Sequence, residues 1–276
     1  MPFTIDVRTS RRTVLIVEDV AIWVALATIF SHFARLGVDP HHDGMVLQPA
    51  LVVANGGVIH RDAFEQYGPV AAWVQGLCLI LFGRSLVTIK VVTACLLAAG
   101  LAVFYSVWRT WLGRRTASVA LVIAVFLAYF FTPGLDMRAW SSDLLILFQA
   151  LSTAAAAWAF NSRSSLSYLC LGAITAVCIL TRILPGVAQL TLLLIGLFIV
   201  SRKSAAQFLS GALAILVGVA LYFAGTGSLV EWFYQTVQMP LEWTTHAAAT
   251  DNLALVRFLI LDRFLPVLTG PVALLI

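Results

Sequence analysis

Charge is scarce in this chain. Only 11% of its 276 residues are Asp, Glu, Lys or Arg, where soluble domains average about 25%. That deficit excludes an ordinary soluble domain with a solvated surface. It also changes the meaning of the net charge of +4, because the basic residues read as topology markers and site residues rather than as a nucleic-acid footprint. Cysteine is equally sparse. Cys78, Cys95, Cys170 and Cys178 all lie in apolar stretches, and no CxxC or Cys/His cluster suggests zinc. Cys170 and Cys178 fall on one expected helix, about 12 Å apart by helical rise. That is too far for a disulfide, and apolar packing is the natural role.

What the chain has in abundance is hydrocarbon. The hydrophobic fraction is 61% and the mean hydropathy is +0.96. Several apolar runs approach the roughly 20 residues needed to cross a bilayer. The N-terminal "SRRTVL" loosely resembles a twin-arginine signal, but Glu18 and Asp19 interrupt the apolar run behind it. An uncleaved first span over about 14–36 is the better reading. Further spans are expected over about 86–111, 116–132, 144–160, 166–181, 184–200 and 205–223. The pattern predicts an all-α polytopic bundle of about seven to eight spans, treated as one domain over 1–276. The closing run "LPVLTGPVALLI" lacks a polar flank, which suggests a partial chain or one partner of a split protein.

One stretch breaks the pattern. "DPHHDGMVLQPALVVANGGVIHRDAFEQYGP", residues 39–69, carries three histidines and four acids. It forms most of a first outer loop over 37–85. Pro49 suits the first turn of a short helix and Gly56-Gly57 its end. A second short helix follows Pro69 and stops at Gly83. At about 14 residues it is too short to span, so it is expected to be interfacial or re-entrant.

Three short turns are basic and contain no acid: Arg114 with Arg115, Arg163, and Arg202 with Lys203. They belong in the cytoplasm. That choice puts the N-terminus inside and collects Asp39, Asp43, Asp62, Glu65, Asp136 and Asp143 on the outer face with Arg182 and the loop 224–252.

Several of these polar residues have two open readings. Asp43 can be a general base on an acceptor hydroxyl, a metal partner of His42, or a carboxylate at a helix start. Asp143 can be a second site acid or an acid favoured by the helix dipole. Arg182 can snorkel at the interface or grip a phosphate. Arg61 and Asp62 can pair with each other. Trp232, Phe233, Tyr234 and Trp243 read first as interface anchors and second as a sugar or lipid platform.

The order of elements carries a resemblance. A first span, "HHDG", a short helix, Gly56, "HRDAFEQYGP", "LFGRSL", a second span, a basic turn, a third span and a loop leading to Asp143 together resemble the GT-C superfamily of integral-membrane glycosyltransferases. The similarity is nearest to the bacterial branch related to protein O-mannosyltransferases and lipid A aminoarabinose transferases. It runs through roughly residues 14–200. The resemblance implies that this chain is the N-terminal part of a longer GT-C module in the plasma (inner) membrane. It implies transfer of a sugar, with inversion, from a polyprenyl-phosphate donor to an acceptor hydroxyl on a lipid, glycan or protein at the outer face. Asp43 would be the base and Asp143 would assist. Arg182 and Arg61, with Asp62 and Tyr67, would hold the substrate. A divalent metal is compatible, with His42 as its candidate ligand. The competing expectation is a non-enzymatic membrane protein, a lipid-linked-sugar transporter or an assembly scaffold. A transporter should place ionisable residues at mid-membrane and show internal repeats, and neither is visible.

Overall fold

The computed structural model of the chain describes residues 7–130 and 138–243. The polar loop holding Asp136, the end of the third expected span and everything from residue 244 onward lie outside the described residues. Within them the chain is helical: α1 (Val7–Phe33), α2 (Pro40–Ala54), α3 (Pro69–Phe82), α4 (Leu86–Leu112), α5 (Arg114–Phe130), α6 (Ser141–Ser162), α7 (Ser165–Thr181), α8 (Ile183–Val200), α9 (Arg202–Gly225) and the short α10 (Leu229–Phe233), which runs into a π-helical turn at Tyr234–Gln238.

Five of these helices are long and apolar enough to cross a membrane: α1 from Leu15, α4, α6, α8 and α9. α3 and α7 are shorter and equally apolar. Their outward faces are greasy. Leu192, Ile195, Phe198, Ile199 and Val200 of α8 are all more than half exposed. An apolar surface of that extent is a liability in water and ordinary against lipid.

Helices pack through small residues, as expected where lipid tails offer no hydrophobic drive for association. At the crossing of α7 and α9, a Cβ on Gly172 would strike the Phe208 carbonyl and one on Gly211 the Leu169 carbonyl. α4 sits centrally, against α1 on one side and α6 on the other. Phe30, Ala94, Leu97, Ala98 and Leu101 form the α1–α4 core.

The acids that interrupt the first apolar run have partners. Arg109 lies 3.3 Å from Glu18 and 3.0 Å from Asp19, and Arg114 lies 2.9 Å from Glu18. Tyr105 donates a hydrogen bond to Glu18, and Ser106 donates one to Asp19. Two carboxylates are thus tied to the end of the bundle where the basic turn between α4 and α5 lies. The segments 37–68, 138–140, 182 and 226–235 are tied to one another at the other end, by contacts described below.

The outer loop needs one correction. The helix expected to start near Pro49 starts nine residues earlier, at Pro40. Asp39 caps it by accepting from the backbone N–H groups of His41 and His42, with Pro40 in the first turn. That is a strong helix start. Pro49 lies inside α2, leaving the Met45 carbonyl without its helical donor. His41, His42 and Asp43 therefore belong to the first turn of a helix, not to a loop. The helix end at Asn55 and Gly56, the start of α3 at Pro69 and its stop at Gly83 are where the sequence places them.

Candidate functional site

The first turn of α2 fixes its polar side chains in different directions. His42 Nδ1 meets Asp39 Oδ2 at 2.7 Å, and Arg138 approaches the same oxygen at 3.1 Å. The His42 hydrogen bonds, with help from Arg138, hold the Asp39 carboxyl below its usual range. Asp43 turns inward. It is only 3% exposed, its Oδ2 accepts from the Asp39 N–H at 3.0 Å, and Lys90 Nζ of α4 lies 3.6 Å from the same oxygen. Lys90 is just as buried and also donates to the Gly37 carbonyl at 3.2 Å. A buried ion pair therefore joins the start of α2 to the first turns of α4. Asp43 Oδ2 is engaged by both a cation and a backbone donor.

"YGP" has a steric explanation. A Cβ on Gly68 would collide with the Leu180 carbonyl at the end of α7, so only glycine permits this approach. The Gly68 N–H reaches the Thr181 carbonyl at 3.3 Å. This contact sets Tyr67 beneath Arg182, whose guanidinium carbon lies 4.6 Å from the ring centre, within range of a cation–π contact. Arg182 sits at the break between α7 and α8 and ends one as it begins the other. Asp143, in the first turn of α6, lies in the electrostatic reach of Arg182.

Three helices begin around this point: α3 at Gly68, α6 at Trp140 and α8 at Arg182. None of the three has a side-chain cap. The starts of α3 and α8 leave backbone N–H groups and the positive end of a helix dipole without a side-chain acceptor, while at α6 the first-turn Asp143 carboxylate accepts from the Trp140 N–H. Such ends, with a cation among them, favour an anion. Between the starts of α3 and α6 lies a small cavity walled by His42, Glu65, Tyr67, Gln75, Trp140 and Ser141, among others. Gln75 donates to the Ala139 carbonyl across its floor at 2.7 Å. Its volume of about 30 Å³ has room for one or two waters and is far too small for a sugar ring.

Arg61 and Asp62 form a different unit. They pair fork to fork, at 2.9 Å for both contacts. Asp62 also accepts from the Val58 N–H, and Arg61 donates to the Thr226 carbonyl. The pair lowers the Asp62 pKa to about 2, the Arg61 hydrogen bonds being the main cause. Beside it, Gln235 of the π-helical turn clasps the loop. Its Oε1 lies 3.1 Å from His60 Nδ1 and accepts from the Glu65 N–H, and its amide donates to the His60 carbonyl. π-Helical turns recur at functional sites, and His60 holds a left-handed φ of 68°, uncommon outside glycine. Loss of solvent pushes the Glu65 pKa up to about 7, against the pull of the Tyr67 N–H. Glu65 therefore puts on the cavity wall a carboxyl whose pKa burial raises above the usual carboxylate range.

Of the residues singled out from sequence, the structure joins His42 and Tyr67 on one cavity wall and sets Arg182 over Tyr67, with Asp143 within its electrostatic reach. Asp43 faces Lys90, and neither Asp43, Asp143 nor Arg182 lines the cavity itself. Arg61 and Asp62 bind each other, the alternative left open above. Trp232 stacks on Phe223 at 5.0 Å inside the fold, while Phe233, Tyr234 and Trp243 stay exposed. Among the described residues, no group of three or more His, Cys, Asp or Glu side chains gathers as a metal site. The cation beside the Asp39–His42 pair is Arg138.

Lys90, Glu65 and Gln235 are the additions. Lys90 had a legible signal, a lone charge in the apolar run of α4, where ionisable residues are functional or paired by default. Glu65 was legible only as one of the outer-face acids, and Gln235 had no signal. No protein-family model matches this chain, and no curated protein or solved structure matches it either.

Proposed function

We propose that this chain is a membrane glycosyltransferase of GT-C type. It moves a sugar from a polyprenyl-phosphate donor to an acceptor hydroxyl, with inversion. One observation carries this reading: three helix starts without side-chain caps converge with Arg182 and Asp143 at one end of a bundle fit for a membrane. A phosphate leaving from a lipid-linked sugar develops charge in the transition state, and preorganised donors in a dry site stabilise it. Arg182 takes the phosphate, aligned by Tyr67. Asp43 takes the acceptor proton, with Lys90 Nζ and the Asp39 N–H holding its carboxylate in place. Sugar entry requires the segment 64–67 to move outward, because the cavity of about 30 Å³ beside it has no room for a sugar ring.

The same reading takes α5 and α7 as spans too. It sets the N-terminus in the cytoplasm of a cell whose plasma (inner) membrane holds the protein, with the site on the outer face. Single cysteines at Ser165 and Asn55, in a cysteine-free background, report this with an impermeant thiol reagent on intact cells. Position 55 labels and position 165 does not; the reverse pattern would move the site to the cytoplasm.

The activity itself is tested in vesicles with a labelled polyprenyl-phosphate sugar, with donor binding and product release measured separately. Hydrogen bonds to charged groups are worth about 1.5–3 kcal/mol, so Arg182→Ala should weaken donor binding by about 10- to 150-fold and slow transfer as well. Unchanged donor binding removes Arg182 from the phosphate role. A non-enzymatic scaffold is the second reading, favoured by the Asp43–Lys90 contact, which also serves as a structural pin between α2 and α4.

A further inference from the structure

A second site lies along α1 and shares no residue with the cavity. A groove of about 480 Å³ runs between α1 and α4, lined by Trp23, Val24, Ala27, Thr28, Ser31, His32, Arg35 and Cys95. That volume falls within the about 300–1,000 Å³ typical of ligand pockets. Its chemistry is graded. The deep end is Trp23, half exposed, with its indole N–H already donated to the Cys95 carbonyl at 3.1 Å. The middle is small and apolar or weakly polar, and Ser31 Oγ and Cys95 Sγ lie 3.7 Å apart across it. The mouth is His32, in the last turn of α1, and Arg35, in the turn that follows it, both exposed. Among the described residues, no acid lines the groove.

The length is informative. The helical stretch from Trp23 to Phe33 rises about 15 Å at 1.5 Å per residue, half of a hydrocarbon core about 30 Å thick. The groove thus reaches from the interface to mid-membrane, one leaflet deep. Arg35 and His32 lie at the level where a headgroup sits, on the end of the bundle that carries Asp43.

We propose that this groove holds one anionic glycerophospholipid of that leaflet. Its phosphate is gripped by Arg35 and His32, and one acyl chain is laid along Ala27 and Thr28 to Trp23. A glycerophospholipid is favoured over a polyprenyl phosphate because the groove ends where an acyl chain ends. Charge complementarity sets the headgroup: two basic side chains meet no carboxylate in the groove. The site does not depend on the glycosyltransferase reading.

Native mass spectrometry of the full chain in detergent, with equal amounts of phosphatidylglycerol and phosphatidylcholine of matched acyl chains, tests it. One lipid should stay bound, with phosphatidylglycerol preferred. Arg35→Ala should lower that preference about fivefold, the size expected of one basic residue at an anionic interface, and Arg35→Lys should restore it. Thr28→Phe should cut retention of both lipids by filling the groove. These side chains are exposed, and an unchanged thermal transition in the same samples verifies the fold. Equal retention of the two lipids would overturn the proposal, as would a preference that survives Arg35→Ala with His32→Ala. A polyprenyl phosphate that displaces phosphatidylglycerol at equal concentration would overturn the choice of occupant.

Discussion

Replacing Lys90 with methionine is expected to destabilise the protein by about 3–5 kcal/mol, the usual cost of stripping a buried ion pair of one partner. The side chains of Lys90 and Asp43 are 2% and 4% exposed, so neither can turn to water when the other is removed. Methionine keeps the length and apolar stem of lysine, so the loss reports the stranded carboxylate rather than a cavity. In detergent, the thermal midpoint should fall by roughly 6–20 °C on the scaling for soluble domains of comparable size. Asp43→Asn combined with Lys90→Met removes both charges and should recover most of the loss, since an ion pair replaced as a unit is often neutral. The two changes are coupled, and their non-additivity is the measurement that matters. A midpoint that does not move in Lys90→Met would show that water reaches the pair.

The helices were readable because their boundaries are set by local chemistry. Gly83 and Gly113 stop α3 and α4, and both take positive φ. Proline opens α3, and basic turns separate α4 from α5 and α8 from α9. The start of α2 was misplaced because two prolines competed. Pro49 looked like a helix opener, but Asp39 with Pro40 is the stronger start, because a side-chain acceptor satisfies two backbone donors there. The site was less legible, and for a different reason. Arg182 over Tyr67 depends on Gly68 touching the end of α7, more than a hundred positions later in the chain. Gln235 reaches His60 and Glu65 across a still longer separation. No local pattern encodes such contacts. Lys90 falls between these cases: its position was visible as a lone cation in an apolar span, and only its partner required the fold.

That partner makes the catalytic test of Asp43 more exacting. If Asp43 is the general base, Asp43→Asn should reduce sugar transfer by about 10²- to 10⁴-fold, the usual worth of such a group. The same change leaves the Lys90 ammonium buried without its carboxylate, so lost activity could reflect lost structure alone. The double variant Asp43→Asn with Lys90→Met separates the two effects. It should fold with a thermal midpoint near that of the parent, bind the donor through Arg182 and still fail to transfer. Lys90→Met alone keeps the carboxylate, so the surviving folded fraction should retain more activity than the double variant at equal membrane abundance. Transfer should be assayed with polyprenyl-phosphate sugar in vesicles, with protein quantified in the same vesicles. Full transfer by the well-folded double variant would reject Asp43 as the base. The acid to examine next would then be Glu65, which already lines the cavity and whose pKa burial raises. Asp143 would follow, since its place beside Arg182 suits an acid that orients the acceptor opposite a departing phosphate.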